Sequence, residues 1–169
     1  MQIQIPDKLL SDIIETSRIR CIVDARNQAN GARIAPWIAE IHYGPLESEA
    51  NTLIRGMALM GDRDYTEKSL DYFINLYNPK GFLTTGYTLV GTGWHLWTLG
   101  EAFALNDDKV WLKTHAKEIA RVCRWVIAER HKTMKLDPLG PKPPQYGLIT
   151  PGVIADWDAY QYYFYSNET

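Results

Sequence analysis

Little in this sequence is set aside for cross-links, ions or membranes. Its 169 residues hold two cysteines, Cys21 and Cys123, far apart and outside any CxxC or Cys/His ligand spacing. That excludes a disulfide framework and a sequence-encoded zinc site, and both thiols are expected to be reduced and buried. The four histidines, His42, His95, His115 and His131, show no HxH or HxxxH spacing, so neither a metal nor another cofactor is expected. No stretch reaches the roughly 18 uninterrupted apolar residues of a membrane span. The opening MQIQIPDKLL lacks the basic start and long apolar run of a signal peptide, so the expectation is a soluble, cytoplasmic chain with no membrane partner. Neither charge is in real excess: 18 Lys+Arg stand against 20 Asp+Glu, a formal net charge of −2. Without a basic stripe as well, no nucleic-acid partner is expected. Gly91-Thr92-Gly93 lacks a preceding strand and a following Lys-Ser/Thr, so it is no phosphate loop, and no GxSxG elbow occurs.

What is present is apolar and aromatic. At 46% hydrophobic residues the chain can bury one core, and its length suits one domain, residues 1–169. Of its aromatics, 6 Trp and 10 Tyr outnumber 4 Phe, a bias toward rings with a polar tip that suits sugar stacking and half-buried packing alike. The densest stretch is GYTLVGTGWHLWTLGEAFAL, residues 86–105. There Leu89, Gly93, Leu96, Trp97, Gly100, Phe103 and Ala104 recur at helical steps, which predicts a buried helix with that face inward. Gly93 and Gly100 each cost up to about 1 kcal/mol of helix propensity relative to Ala, so close packing or a nearby ligand is expected at them.

The same periodicity predicts a first helix over 7–27, ended by Asn30-Gly31, and then a long ordered loop over 32–45 that carries Trp37, Glu40, His42 and Tyr43. A second helix opens at Pro45–Glu49 with acids in its first turn. A third follows, with Asp64 as N-cap, Glu67 completing a capping box, and Tyr77 near its end. Asp107-Asp108 caps a fifth helix reaching about Met134. The proline-rich tract 136–152 excludes regular structure, and a sixth helix starts around Asp156-Trp157-Asp158. Displaced by 46 residues, ALMGDRDY (58–65) falls on ALNDDKVW (104–111). The repeating unit is therefore an αα-hairpin, which gives an all-α fold class and an αα-hairpin array with short turns on one side and long loops on the other.

Glycoside hydrolysis needs an acid held protonated, a second carboxylate across the bond, and ring faces for the sugar. The candidate acids are Glu47 and Glu49 at a helix start and Asp156 and Asp158 around Trp157. Glu47 and Glu49 equally suit a first turn favoured by the helix dipole, and Asp156 and Asp158 equally suit an N-cap. Glu101, on an apolar helix, requires a partner such as Arg55 or His95, or a raised pKa.

The runs YNPKGFLTTGYTLVGTGWHLWTLGEAFAL, KVWLKTHAKEIARVCRWVIAERHKT and PPQYGLITPG…DWDAY resemble bacterial six-hairpin glycosidases, the (α/α)6-toroid carbohydrate-active proteins, over about residues 47–167. The resemblance implies a partial (α/α)6 toroid with a sugar cleft built from the loops at one end, and carbohydrate as partner. Trp94 and His95 would stand near the cleft mouth, Tyr146 and Trp157 would edge it and contact substrate, and the general acid would come from Glu47, Glu49, Asp156 or Asp158; Trp37 and His42, in the long loop ahead of this span, are further candidates for substrate contact. A full toroid has six hairpins and this chain about three, so a truncated half-toroid is expected, one able to form a homodimer through its open faces. Two other readings fit the same residues: a non-catalytic helical-repeat interaction protein, and a polysaccharide lyase using His42 or Tyr146 as base.

Overall fold

The computed structural model describes residues 5–38, 44–81 and 90–151. Its helices are α1 (Lys8–Val23), α2 (Glu47–Leu59), α3 (Arg63–Ile74), α4 (Val90–Asn106) and α5 (Lys109–Lys132), with strands β1 (Arg26–Gln28) and β2 (Arg33–Ala35) between α1 and α2. The protein is mainly α. None of the described helices is long and apolar enough to cross a membrane.

The helical fold class holds with the addition of a two-stranded ribbon, which corrects the expected extent of the first helix and the expected loop over 32–45. Asp7 caps α1 as its carboxylate accepts from the backbone N–H of Leu9 at 2.8 Å, but the helix ends at Val23. Beyond it, β1 and β2 pair antiparallel in the register Arg26↔Ala35, Asn27↔Ile34, Gln28↔Arg33. Asn30 and Gly31 form their turn, at φ 56° and 84°. Asn-Gly is the pair that best tolerates positive φ in a hairpin, so it serves the ribbon and does not terminate the helix.

The hairpin repeat survives in the caps. Asp62, in place of the expected Asp64, caps α3 by accepting from the Tyr65 N–H at 3.2 Å, while Glu67 pairs with Arg63 at 2.7 Å and completes no capping box. At the equivalent position Asp108 caps α5, accepting from Trp111 N–H at 2.8 Å. Arg63 reaches Asp108 in an ion pair, so the two short turns lie side by side. Gly61, at φ 77°, lets the chain leave α2 in the left-handed conformation.

The core gathers Ala50 and Ile54 of α2, Leu70, Phe73 and Ile74 of α3, Tyr77, Leu99 and Ala102 of α4, and Val122 of α5. α3 and α5 are joined through Asp71, which accepts from the Trp111 indole N–H at 3.0 Å and meets His115 Nε2 at 3.0 Å. After α5 the tract up to residue 151 contains no helix or strand. It is held to the end of α5 by Arg130 Nε donating to the Gly147 carbonyl at 3.0 Å and by Thr150 donating to Glu129 at 3.0 Å. The cysteines differ from expectation, since Cys21 is half-buried and Cys123 exposed. The sixth helix and residues 86–89 of the fourth lie outside the described residues.

α4 turns a different face inward from the one its apolar spacing predicts. Thr92, His95, Thr98, Leu99 and Ala102 are buried, whereas Trp97 is 43% exposed. The reason is the neighbour. α2 and α4 run parallel and close together, as successive contacts show: Glu47 at Gly91, Asn51 at His95, Arg55 at Glu101. A Cβ on Gly91 would stand 2.2 Å from Glu47 Cγ, whereas one on Gly100 would meet nothing within 4 Å. Close approach therefore selects small residues on this face, and the glycine it requires is Gly91. Gly91→Ala is expected to cost about 1–3 kcal/mol by overpacking. Gly100→Ala is expected to add about 0.5–1 kcal/mol through helix propensity and a less disordered unfolded chain. Urea unfolding midpoints of the two variants check the pair of signs.

Candidate functional site

Short turns join α2 to α3 and α4 to α5, so the first turns of α2 and α4 share the opposite end with the longer connections. A groove of about 540 Å³ opens there, between the end of α1, the segment after β2, and α2 and α4. Trp37 and Trp94 line it, together with Leu53 and the charged groups Arg20, Asp24 and Glu49. The Arg26 guanidinium stacks over one face of Trp37, 3.4 Å from the ring centroid, which holds that indole in place. Trp94 meets Trp97 edge-to-face at 5.6 Å.

Between α2 and α4 lies a buried polar string. Asn51 Nδ2 donates to the Glu47 carbonyl at 2.7 Å, which turns Asn51 Oδ1 toward His95 Nδ1 at 3.3 Å. That arrangement places the proton of neutral His95 on Nδ1. His95 Nε2 and Glu47 Oε1 are both buried with no hydrogen-bond partner among the described residues. Phe73 and Tyr77 pack on the imidazole with ring centroids 5.3 and 5.5 Å away. Fully buried, His95 has its pKa lowered to about 3, because desolvation opposes the charged ring. It is a core group and stands away from any cleft mouth.

Glu47 is buried and its pKa is raised, first by desolvation and less by neighbouring Glu49, against the lowering effect of its own backbone N–H. A helix N-terminus favours a carboxylate by only about 0.3–1 kcal/mol when exposed, so here burial wins. Glu49, two positions on, faces the opposite way and lines the groove, its carboxylate accepting from the Ser48 hydroxyl at 2.5 Å. Glu101 lies outside this site: it pairs with Arg55 at 3.1 Å, both side chains more than a third exposed.

The structure thus brings Trp37, Trp94 and Glu49 together on one groove, while Glu47 and His95 are buried in the α2–α4 contact and do not line it. Tyr146 is not among the groove's lining residues; it is half-buried in the tract after α5, with Lys142 Nζ 4.6 Å from its ring centroid. His42, Asp156, Trp157 and Asp158 lie outside the described residues. Asp24 and Arg20 were missed by the sequence reading, as no local motif marks them. A larger cavity of about 600 Å³ lies at the other end, between α1 and the α2–α3 turn. Its acids are already engaged, Asp12 by Lys8, Glu15 and Asp62 by Arg18 and Asp64 by Lys68, and no aromatic side chain lines it among the described residues.

The two buried titratable groups give opposite pH slopes. Between about pH 3 and the ordinary histidine value the unfolded chain binds a proton that folded His95 refuses, so His95 removes stability as pH falls through that window. Glu47 holds its proton in the folded state above the ordinary glutamate value, so it removes stability as pH rises from there. Glu47→Gln is therefore expected to gain stability relative to the parent at pH 7–8 and not at pH 4. His95→Gln is expected to flatten the loss between pH 6.5 and 4. Urea midpoints across pH 4–8 measure both.

No protein-family model, curated protein or solved structure matches this chain.

Proposed function

We propose that this chain is the helical-hairpin part of a carbohydrate-active protein of the six-hairpin toroid type, seating a glycan in the groove at the α2 and α4 N-termini and hydrolysing it by acid/base chemistry. The observation that carries the reading is the convergence on one groove of two indoles, Trp37 and Trp94, and two carboxylates, Asp24 and Glu49, with a carboxyl of raised pKa, Glu47, in the same helical turn as Glu49. Indole faces pack against the C–H faces of sugar rings, and carboxylates accept from their hydroxyls. Hydrolysis then needs one carboxyl that keeps its proton for the leaving oxygen and one carboxylate that acts on water or the anomeric carbon. Glu47 has the raised pKa the first role requires and would have to turn out of the α2–α4 contact to reach a bound glycan; Glu49 and Asp24 suit the second through their place on the wall, with Asp156 and Asp158 as further candidates. The parallel contact of α2 with α4, with α3 and α5 laid back along them, supports the toroid reading because inner-ring helices run parallel to one another.

Isothermal titration against a panel of neutral, amino and acidic oligosaccharides, combined with reducing-end release, tests the proposal. Trp37→Ala and Trp94→Ala are each expected to weaken binding of the preferred oligosaccharide at least tenfold. Glu47→Gln is expected to keep binding and to lose reducing-end release by at least a hundredfold. Binding without release by the parent chain would leave a non-catalytic glycan-binding protein, and failure of every oligosaccharide to bind at millimolar concentration overturns the reading.

A further inference from the structure

Trp97 and the ion pair beside it belong neither to the core nor to the groove. On α4, Trp94, Trp97 and Glu101 stand at positions i, i+3 and i+7, the spacing of one helix face. Trp94 lines the groove, and Trp97 meets it edge-to-face with ring centroids 5.6 Å apart. The indole surface of the groove therefore continues along α4, away from its N-terminus, by the rise of three residues, about 4.5 Å. Trp97 is 43% exposed. The Arg55 guanidinium of α2 stands over its ring, 5.0 Å from the centroid, and is itself held by Glu101 at 3.1 Å. Both charged side chains keep more than a third of their surface in solvent, so the pair adds little to stability. Next to it in sequence, Gly56 and Gly100 carry no side chain, and a Cβ on either would meet nothing within 4 Å. The surface flanking Trp97 is accordingly low and open.

We propose that Trp97, with Arg55 and Glu101, forms a further sugar subsite that receives the next residue of an oligosaccharide seated in the groove, so that the protein selects for longer chains. This rests on the glycan reading of the groove. A sugar ring needs an apolar plate for its C–H face and polar partners at its edge. Trp97 supplies the plate, Arg55 donates to hydroxyl oxygens, and Glu101 accepts from hydroxyls. Arg55 and Glu101 already hold one another, and Arg55 holds the ring, so little side-chain freedom is lost when a ligand arrives. The arrangement repeats the one at Trp37, where Arg26 stacks on one face of an indole that lines the groove. The step from Trp94 to Trp97 is close to the length of one sugar residue, which sets successive rings of a bound chain on successive indoles.

Isothermal titration of the full chain with cello-, malto-, xylo- and chito-oligosaccharide ladders of two to six residues tests it. In the ladder that binds, the parent is expected to gain about tenfold or more in affinity at one added residue, the one that reaches Trp97. Trp97→Ala is expected to lose that step while staying within about twofold of the parent on the shorter sugars, and Arg55→Met to lose about threefold or more of the same step. Trp97→Phe keeps a ring against Trp94 and is expected to restore the longer sugars to within about threefold of the parent. Equal helical content by circular dichroism and equal affinity for the short sugars show that α4 remains folded in each variant. A binding ladder without a length step, the result if protein covers this ring, overturns the subsite and leaves the groove reading standing. A Trp97→Ala variant that weakens short and long sugars alike, or weakens neither, does the same. Failure of every ladder to bind overturns the groove reading itself, and the subsite with it.

Discussion

The structure depends on one contact, the parallel approach of α2 and α4 at Glu47 and Gly91. A single added methyl group at Gly91 would overlap the Glu47 side chain, so the separation of these helices is set by a residue without one. From that separation follow the small and polar residues on the inner face of α4, the reach of Asn51 to His95, and the level at which the two first turns stand. Because those turns are level, Trp94 on α4 and Glu49 on α2 open onto the same groove. The outer helices are hung from this pair by short turns that Arg63 and Asp108 tie together, and Asp71 fixes α5 to α3 through Trp111 and His115.

The parts legible in the sequence were those decided by local chemistry. Helix existence along α2, α3 and α5 followed from apolar spacing, and the repeat followed from an acid placed just before each second helix, because an N-cap needs only its own side chain and the next turn. The Asp62 and Asp64 ambiguity shows the limit, since either acid offers a cap and only the path of the chain out of α2 chooses. The ribbon was not legible because its strands are three residues each and β1 reads Arg-Asn-Gln, with neither alternation nor β-branched residues. Asn30-Gly31 was the available signal. The inward face of α4 was misread for a different reason: the helix is apolar nearly all round, so hydrophobicity does not select a face and steric room beside α2 does.

The site divides in the same way. Trp37 and Trp94 were recognisable as ring faces but not as neighbours, because the ribbon that carries the chain to Trp37 was not foreseen. Asp24 has no motif; it terminates α1 and reaches the groove only through where that helix lies. Glu47 and Glu49 look alike in sequence. Two positions along a helix, however, is a rotation of about 200°, which sends one carboxyl into the α2–α4 contact and the other to the groove. Opposite environments for two neighbouring acids are what separates a proton donor from a carboxylate in acid/base chemistry.

That division bears on why the buried string is there. A carboxyl and an imidazole, each with one atom lacking a partner among the described residues, cost about 1–3 kcal/mol per unsatisfied group. The same volume filled by apolar side chains would avoid the cost. A helix contact needing only stability gains nothing from Glu47, and it gives up Gly91 to accommodate it. Under the glycan reading the cost has a use. Burial makes Glu47 keep its proton to higher pH than a solvated glutamate, in the first turn of the same helix that presents Glu49 to the groove. His95, neutral and bonded to Asn51, then acts as a positioning residue for the turn that carries Glu47, because the Asn51 amide is bonded to the Glu47 carbonyl itself. Under the glycan reading, the raised pKa of Glu47 and the packing of α2 on α4 thus come from the same contact.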